Sequence, residues 1–318
     1  MEKISVVVSC YNEEKALQLF YEEMERVRKQ DFEGVADFEY IFVNDGSKDN
    51  SLQQMKRLKQ LDPSHVHYVS FSRNFGKEAG IYAGLQYAAG DFVVLMDVDL
   101  QDPPELLPEM FNILTTTDYD CVGTRRLTRE GEPPIRSFFS KKFYQVINKI
   151  SQTEIVDGAR DYRMMTRQMV DAILQMTEYN RFSKGIFSWV GFNTKYLPYN
   201  NIERKAGETS WSFWQLLLYA LDGITSFSTV PLTLSSVLGF ILFILAIVLG
   251  IFFLIRTLLF GNPTSGWTSL IVIILFVSGS QLFFLGILGK YLSHIYLESK
   301  KRPLFIVKES DIRNKDRH

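Results

Sequence analysis

Residues 92–104 read Phe-Val-Val-Leu-Met-Asp-Val-Asp-Leu-Gln-Asp-Pro-Pro, five apolar residues followed at once by carboxylates, an amide and two prolines. The apolar run predicts a strand that is buried on both faces, as in parallel sheets. Asp97 and Asp99 share one face just beyond this strand, because side chains alternate with a period of two. Carboxylates gathered in this way repel one another unless a cation lies among them. The segment therefore predicts a buried strand that ends in a charged site.

The segments upstream alternate between buried strands and helices. Strands are predicted at residues 4–8, 40–43 and 66–71, and helices at 17–27, 52–61 and 78–89. This alternation predicts an α/β fold with a doubly wound, mostly parallel sheet. Ligands bind at the carboxyl ends of the strands in such sheets, so functional residues are expected in the loops that follow the strands.

The strand at 92–96 is followed by a small number of side chains whose oxygen atoms could bind a metal ion. Asp97 and Asp99 suit Mg²⁺ or Mn²⁺ bridging to substrate phosphates better than a metal held by a closed protein cage. Asp102, which stands before two prolines, is expected to cap the next helix.

Two more polar loops follow predicted strands. Residues 9–14 read Ser-Cys-Tyr-Asn-Glu-Glu, and residues 44–49 read Asn-Asp-Gly-Ser-Lys-Asp. The second loop is also a good turn with a helix cap. From the residues alone, a structural role and a ligand-binding role both remain open for it.

The charge balance and the apolar content limit the classes of function. The chain has 318 residues, with 35 basic against 36 acidic side chains and a net charge of −1. This balance argues against a protein that holds nucleic acid by bulk electrostatics, so no nucleic acid partner is expected. The 46% hydrophobic content is high for two fully soluble domains and indicates a part that faces lipid.

Two long uncharged runs predict a transmembrane hairpin. The runs at residues 232–255 and 267–289 contain no charged residue, and as helices each spans about 35 Å, enough to cross a bilayer. Basic residues follow the second run, among them Lys290, Lys300 and Lys301. By the positive-inside rule both termini are expected in the cytoplasm, which makes the chain a multi-pass protein of the cell membrane.

Two amphipathic segments are expected to lie at the membrane surface. The helix predicted at about 134–150 has an aromatic face beside lysines and fits an anionic membrane, although a core helix with a solvated lysine edge is the alternative. The predicted layout is a cytosolic domain at 1–210, a juxtamembrane interface helix at 211–230, two transmembrane helices within 231–292 (about 232–256 and 267–289) and a cytoplasmic basic tail at 293–318.

Four motifs in order, together with the hairpin, resemble the family 2 glycosyltransferases with the GT-A fold. The motifs are Tyr-Asn-Glu at 11–13, Asn-Asp-Gly-Ser at 44–47, Ser-Arg-Asn-Phe-Gly-Lys at 72–77 and Asp-Val-Asp-Leu-Gln-Asp-Pro-Pro at 97–104. With its paired terminal helices the chain is similar to the polyprenyl-phosphate branch, which includes bactoprenol glucosyltransferases and dolichyl-phosphate mannose synthase. The resemblance covers essentially the whole chain.

This resemblance implies a role for individual residues of a nucleotide-sugar site. Tyr11, Asn12 and Glu13 would line the donor pocket with Asp45, which would face the base or the ribose. Asp97 would lie near the ribose and the metal, with Asp99 and Gln101 as further metal ligands. Lys77 would contact a phosphate, although a solvated lysine that starts a helix is the alternative. Asp161, in the segment 158–165, matches the proposed catalytic base of the family.

The acceptor that the resemblance implies is an anionic lipid phosphate, which needs cations around it. Arg125, Arg163 and Arg204 are the predicted contacts, because arginine forks match phosphate oxygens. Ser210 stands where many family members have a lysine, so no phosphate contact is expected there. A phosphate monoester is largely dianionic at neutral pH, which leaves two roles open for Asp161: removal of a proton, or orientation of the acceptor.

The implied activity is inverting transfer of a single sugar, from UDP-glucose or a UDP-N-acetylhexosamine, to undecaprenyl phosphate for the cell envelope. Two alternatives remain: a processive polysaccharide synthase of the same family, and a non-catalytic membrane scaffold that binds a nucleotide-sugar. The first is disfavoured because the sequence has no Gln-x-x-Arg-Trp segment. Small and polar residues at 278–281 in the second span would allow packing between protomers, so a homo-oligomer is allowed.

Overall fold

The computed structural model describes residues 1–126, 158–199, 228–260 and 266–312, together with residues 148, 149, 156 and 225. Arg204, almost all of the predicted interface helix at about 134–150 and most of the juxtamembrane segment at 211–230 lie outside the described residues.

Four parallel strands and three helices form the first half of the fold. The strands are β1 (Glu2–Cys10), β2 (Ala36–Asn44), β3 (Val66–Phe71) and β4 (Phe92–Met96), and the helices between them are α1 (Leu17–Asp31), α2 (Ser51–Leu61) and α3 (Lys77–Tyr87). Strand β1 lies at the centre, paired in parallel with β2 and β4, and β3 pairs in parallel with β2. The predicted alternation is confirmed in this half.

The second half adds strands at both sides of the sheet. They are β5 (Cys121–Arg126), β6 (Ala159–Thr166), β7 (Thr194–Tyr199) and β8 (Val307–Ser310), with a 3₁₀ turn at Pro104–Leu106 and helices α4 (Leu107–Thr116), α5 (Arg167–Leu174) and α6 (Ser183–Trp189). The order of the eight-stranded sheet is β7-β5-β6-β4-β1-β2-β3-β8. Strand β6 is antiparallel to both β4 and β5, and β8 is antiparallel to β3. The sheet is mostly parallel, as predicted.

Helix α3 packs unusually close to the central strand. Gly80 and Gly84 face Ser9 and Val7 of β1, and a Cβ atom at either glycine would collide with those side chains. Glycine is the residue that permits such an approach. The first residue of α3, Lys77, is thereby held near the carboxyl end of β1.

Two long helices follow in the C-terminal region, α7 (Val230–Phe260) and α8 (Trp267–Ser299). Both are long and apolar enough to cross a membrane, and none of their apolar windows, Val230–Phe253 and Ile273–Ser299, is buried inside the described part of the protein. Apolar surface of this extent requires a cover, and the two helices fit the predicted hairpin by length and composition.

The chain returns to the sheet after α8, within the segment that was predicted as a basic tail. Strand β8 covers the outer edge of β3, and the rings of Phe71 and Phe305 stack with their centroids 4.8 Å apart. Asp311 accepts hydrogen bonds from the backbone N–H of Tyr68 at 2.6 Å and contacts His67 Nδ1 at 2.8 Å. An edge strand that would otherwise be open to pairing with another chain is thus closed by the tail of the same chain.

Asp311→Ala is expected to release β8 from β3. The change leaves the Tyr68 amide without its acceptor and removes one of the partners of the Lys59 ammonium, which lies 2.9 Å from Asp311. The expected loss is about 1–3 kcal/mol of local stability, since a donor loses its partner in a partly buried place. Hydrogen exchange of the β3 amides should become faster, whereas Asp118→Ala at an exposed carboxylate should leave it unchanged. Unchanged protection in the Asp311 variant would contradict this role.

Candidate active site

The polar loops after β1 and β2 interlock at the carboxyl edge of the sheet. The backbone N–H of Asn12 donates to Ser47 Oγ at 3.0 Å, and the N–H of Lys48 donates to Asn12 Oδ1 at 2.9 Å. The N–H of Glu13 donates to Ser51 Oγ at 2.8 Å. Asn12 has a φ of 57°, which asparagine tolerates better than most residues. Two of the predicted donor-site segments are therefore brought together, with Tyr11 exposed beside them.

Asp45 organises the turn that leads into α3. Its carboxylate accepts the backbone N–H of Phe75 at 2.6 Å and that of Gly76 at 2.9 Å, and the side chain is buried. Burial raises the pKa of Asp45, although the two amide donors oppose the shift. The carboxylate therefore has a structural role in the loop, and its contact with a nucleotide stays a prediction.

Lys77 lies between two carboxylates that come from different strands. Its Nζ is 2.8 Å from Asp97 Oδ1, at the end of β4, and 2.7 Å from Asp161 Oδ2, on β6. The Lys77 side chain is still 43% exposed, so it remains within reach of a ligand. Three residues that were predicted separately therefore form one cluster, and Lys77 is more than a solvated lysine at the start of a helix.

The charges of this cluster set the basicity of Asp161. Burial acts to raise the pKa of Asp161, but Lys77, Lys184 and Arg163 outweigh it, and the pKa falls well below its usual range. Partial burial acts to lower the pKa of Lys77, but Asp161 and Asp97 outweigh it and raise that pKa. With Lys77 in this position, Asp161 is ionised at neutral pH and is a weak base.

Of the predicted acceptor arginines, Arg163 lies behind the cluster. It is 2% exposed, and its guanidinium lies 3.8 Å from the centre of the Phe187 ring. Its Nη2–H donates to the carbonyl oxygen of Arg160 at 2.9 Å, which supports the strand that carries Asp161. Arg125 is exposed on the neighbouring strand β5. Contact of either arginine with a phosphate stays a prediction.

Arg160 is a site residue that the sequence reasoning missed. Its Nη2 lies 3.3 Å from Gln101 Oε1, and its Nε lies 3.4 Å from Asp102 Oδ1. The one signal in the sequence was the position of Arg160 directly before Asp161. Because side chains alternate along a strand, Arg160 and Asp161 lie on opposite faces of β6. Arg160 thus ties the segment after β4 to β6.

The expectation that Asp102 caps a helix is wrong. Pro103 is the N-cap of the 3₁₀ turn, and no side chain caps it. Asp102 is buried and accepts the hydroxyl of Tyr199 at 2.7 Å, besides facing Arg160. A buried carboxylate needs strong hydrogen-bond donors to offset its loss of solvation. For Asp102 these donors are on β6 and β7, so its side chain is not used as a helix cap.

The predicted metal ligands form a small and incomplete set. Asp97 is 30% exposed and Asp99 is almost buried, and Asp99 Oδ1 accepts the backbone N–H of Gln101 at 3.1 Å. Between them the backbone turns at Leu100, whose φ is 54°. Among the residues that the structure describes, no group of three or more His, Cys, Asp or Glu could hold a metal ion. Two carboxylates fit a hard divalent ion only if substrate phosphates complete its coordination.

Glu78, next to Lys77, links the cluster to helix α6. Its Oε2 accepts the backbone N–H of Ser183 at 3.0 Å and also bonds the Ser183 hydroxyl. This contact holds the first turn of α6, which carries Lys184. Burial raises the pKa of Glu78 to about 7, with Asp161 adding to the shift and the Ser183 donors opposing it.

The fold and the site define a class of protein. A mostly parallel α/β sheet with acidic residues at the carboxyl ends of its strands is typical of GT-A glycosyltransferases. Residues 5–174 match the sequence model described as "Glycosyl transferase family 2", and the chain belongs to this family.

Relatives of similar length are found in bacteria and phages. The chain is 42% identical to "Putative glycosyltransferase CsbB" of Bacillus subtilis, over 98% of this chain and 93% of that protein. It is 41% identical to "Bactoprenol glucosyl transferase" of Shigella phage SfV, over 96% of this chain and 98% of that protein. A crystal structure of glucosyl-3-phosphoglycerate synthase from Mycobacterium tuberculosis with Mn²⁺, uridine-diphosphate and phosphoglyceric acid matches with a TM-score of 0.46 and 17% identity, over 70% of this chain and 76% of that one.

Glu78→Gln is expected to make stability less dependent on pH. Between pH 4.5 and 7 the unfolded chain loses the Glu78 proton while the folded protein keeps it, so stability falls as the pH rises. Glutamine keeps an acceptor for Ser183 without the charge. The variant should equal the parent at pH 5 and exceed it by about 2 kcal/mol at pH 8. Denaturant unfolding at both pH values, with Glu33→Gln as an exposed control, measures this, and a pH-independent difference would contradict it.

Proposed function

We propose that the protein transfers a single sugar from a nucleotide-diphosphate sugar to a polyprenyl phosphate at the cytoplasmic face of the cell membrane. The observation that carries the proposal is the Lys77 ammonium between Asp97 and Asp161, in a domain joined to two helices that are long and apolar enough to cross a membrane. Relatives named bactoprenol glucosyl transferase, at about 40% identity over nearly the whole chain, support a polyprenyl phosphate acceptor. UDP-glucose is the first donor to test, and undecaprenyl phosphate is the first acceptor.

The proposed orientation follows from charge. Helices α7 and α8 cross the bilayer, and the lysines and arginine at 300–302 lie on the cytoplasmic side with both termini. The acceptor stays in the lipid and the donor is soluble in water, so the active site has to work at the boundary. Enclosure between the domain and the bilayer keeps water away from the activated sugar.

Donor binding is proposed for the interlocked loops. Tyr11, Asn12 and Glu13 line the nucleotide with Asp45, and Lys77 binds an oxygen of the diphosphate. Asp97, Asp99 and Gln101 would hold Mg²⁺ or Mn²⁺, which when bound neutralises charge on the departing nucleoside diphosphate. Lys77 stabilises the same charge, and its raised pKa keeps it protonated for that purpose.

Acceptor binding is proposed to need orientation more than proton removal. The acceptor phosphate is already largely dianionic at neutral pH, and Asp161 has a lowered pKa and is a weak base. Asp161 holds Lys77 and attracts Lys184, and both cations can bind phosphate oxygens. Arg125 and Arg204 are proposed as further phosphate contacts, with Arg163 supporting Asp161 from behind. Attack of a phosphate oxygen on the face of the sugar opposite the nucleotide inverts the anomeric centre.

The test is reconstitution of the full chain in vesicles that contain undecaprenyl phosphate. UDP-glucose and UDP-N-acetylhexosamines are supplied with Mg²⁺ or Mn²⁺, and the lipid product is identified by mass spectrometry. A lipid that carries one sugar, formed with stoichiometric UDP, is expected. Products with many sugars would identify a processive synthase, and donor binding without turnover would identify a scaffold. Either result would overturn the proposal.

Asp99→Asn is expected to lower the transfer rate at least 100-fold. Asparagine keeps an acceptor for the Gln101 amide but removes the charge that the proposed metal requires. The melting temperature should stay within a few degrees of the parent. Initial rates over a Mg²⁺ and Mn²⁺ series measure the effect, with Asp118→Asn as a surface control. Full activity of the Asp99 variant would remove the metal assignment.

Asp161→Asn separates the two roles of this carboxylate. If it orients the acceptor, kcat should fall roughly 10–100-fold, and parent and variant should share a pH profile set by the acceptor phosphate, with its pKa near 6. The measurement is kcat between pH 5 and 8 at saturating donor. A kcat of the variant that keeps rising with pH above 7, with no such rise in the parent, would assign base catalysis to Asp161 instead.

A further inference from the structure

A cleft lies beside the C-terminal half of α3. It has a volume of about 570 Å³ and lies between α3, residues 177–179 and the end of α8. Tyr82 and Gln86 line it from α3, and Tyr179 lines it from the loop after α5. Among the residues that the structure describes, none of those proposed for donor, acceptor or metal binding lines it. The cleft is therefore distinct from the proposed catalytic site.

The cleft lies at the C-terminal end of the apolar window of α8. The apolar window of α8 ends at Ser299, and the cleft is lined by Leu297, Glu298 and residues 301–305. If α8 crosses the bilayer, this level is the headgroup layer, where lipid phosphates lie. The Glu298 carboxylate accepts the backbone N–H of Tyr179 at 2.9 Å, so the helix end and the domain are joined here.

Two basic residues, Lys301 and Arg302, line the cleft. Neither the Lys301 nor the Arg302 side chain forms a hydrogen bond or an ion pair within the ranges that the structure describes, and both residues are exposed. The preceding lysine differs, because the Lys300 ammonium lies 4.0 Å from the centre of the Tyr296 ring. Lys301 and Arg302 are thus available to an anion, and Lys300 is engaged elsewhere.

The backbone at Lys301 is a second, independent observation. Its φ is 48°, in the left-handed region, directly after the C-cap residue Lys300 of α8. Glycine is favoured at this position because any side chain strains the backbone there. The chain has a lysine instead, in a conformation that a side chain disfavours. Strain of this kind is typical of positions where the side chain has a function.

Part of the cleft lining is aromatic and held in place by other contacts. The Tyr82 hydroxyl donates to the carbonyl oxygen of Leu174 at 3.1 Å, and the buried Arg181 guanidinium lies 4.4 Å from the centre of the Tyr82 ring. Phe305 lines the cleft and stacks on Phe71 of the sheet. A polar mouth with cations and a rigid aromatic wall fits an amphiphile, with its anion at the mouth and its glycerol and first methylenes along the rings.

We propose that this cleft binds the phosphate-bearing headgroup of an anionic membrane phospholipid. The lipid joins the end of α8 to the side of α3, the helix that begins with Lys77. Binding there holds the catalytic domain against the leaflet from which the acceptor comes. The site selects lipids by headgroup charge and does not depend on the identity of the transferred sugar.

The test compares Lys301→Gly and Arg302→Gln with the matched control Lys300→Gln, all in the full chain. Phosphatidylglycerol and phosphatidylcholine of equal chain length are titrated into the detergent-solubilised protein, and native mass spectrometry counts the bound lipids. Each cleft variant should weaken phosphatidylglycerol binding roughly fivefold, since one basic side chain near an anionic surface contributes about 1 kcal/mol. Lys300→Gln should bind as the parent does. Lys301→Gly relieves the backbone, so its melting temperature should not fall.

Other outcomes would overturn the proposal. An equal loss in Lys300→Gln would indicate attraction by the general charge of the tail. Equal binding of phosphatidylcholine would remove the role of headgroup charge. Competition by glycerol phosphate at the same concentration as phosphatidylglycerol would identify the ligand as a free phosphate. Unchanged binding in both cleft variants, with their melting temperatures intact, would show that the lipid lies elsewhere.

Discussion

The ammonium of Lys77 is the contact on which the arrangement of the site depends. Asp97 and Asp161 come from strands that are antiparallel neighbours, and without a cation between them their charges would repel. The same ammonium lowers the basicity of Asp161 and is still exposed enough to meet a phosphate. In the absence of a ligand, the two carboxylates neutralise the Lys77 ammonium, and this ammonium is the cation proposed to bind an anionic substrate.

The position of Lys77 is set by backbone packing. Gly80 and Gly84 let α3 approach β1, and Asp45 fixes the turn before the helix by accepting two backbone amides. Glu78, the second residue of α3, accepts the backbone N–H of Ser183 and so connects the start of α3 to α6. The geometry of the charged cluster therefore rests on short-range contacts of a rigid layer. The loops that are proposed to bind the donor lie on the same edge and share this support.

The first half of the fold could be predicted from the sequence because each strand contains a short apolar run and helices α1 and α2 have a clear helical period. The second half could not, because β6 enters antiparallel between β4 and β5, and β8 comes from the far end of the chain. Asp97, Lys77 and Asp161 were predicted one at a time from the motifs, but their contact needs the sheet order. Arg160 and Glu78 were missed, and Asp102 was misjudged, because their partners lie on strands and helices that no local pattern connects to them.

The C-terminal segment connects the proposed membrane region to the site by a short path. Ser299 ends α8 and Val307 begins β8, so only seven residues separate the helix from the sheet edge. Edge pairing, the Phe71–Phe305 stack and the Asp311 contacts hold that path at the sheet, and the Glu298–Tyr179 contact holds it at the helix end. A flexible linker would let the domain turn away from the bilayer at little cost. A closed path restricts that motion. The proposed reaction between a soluble donor and a lipid acceptor needs this restriction, because both substrates are proposed to meet at the Lys77 ammonium.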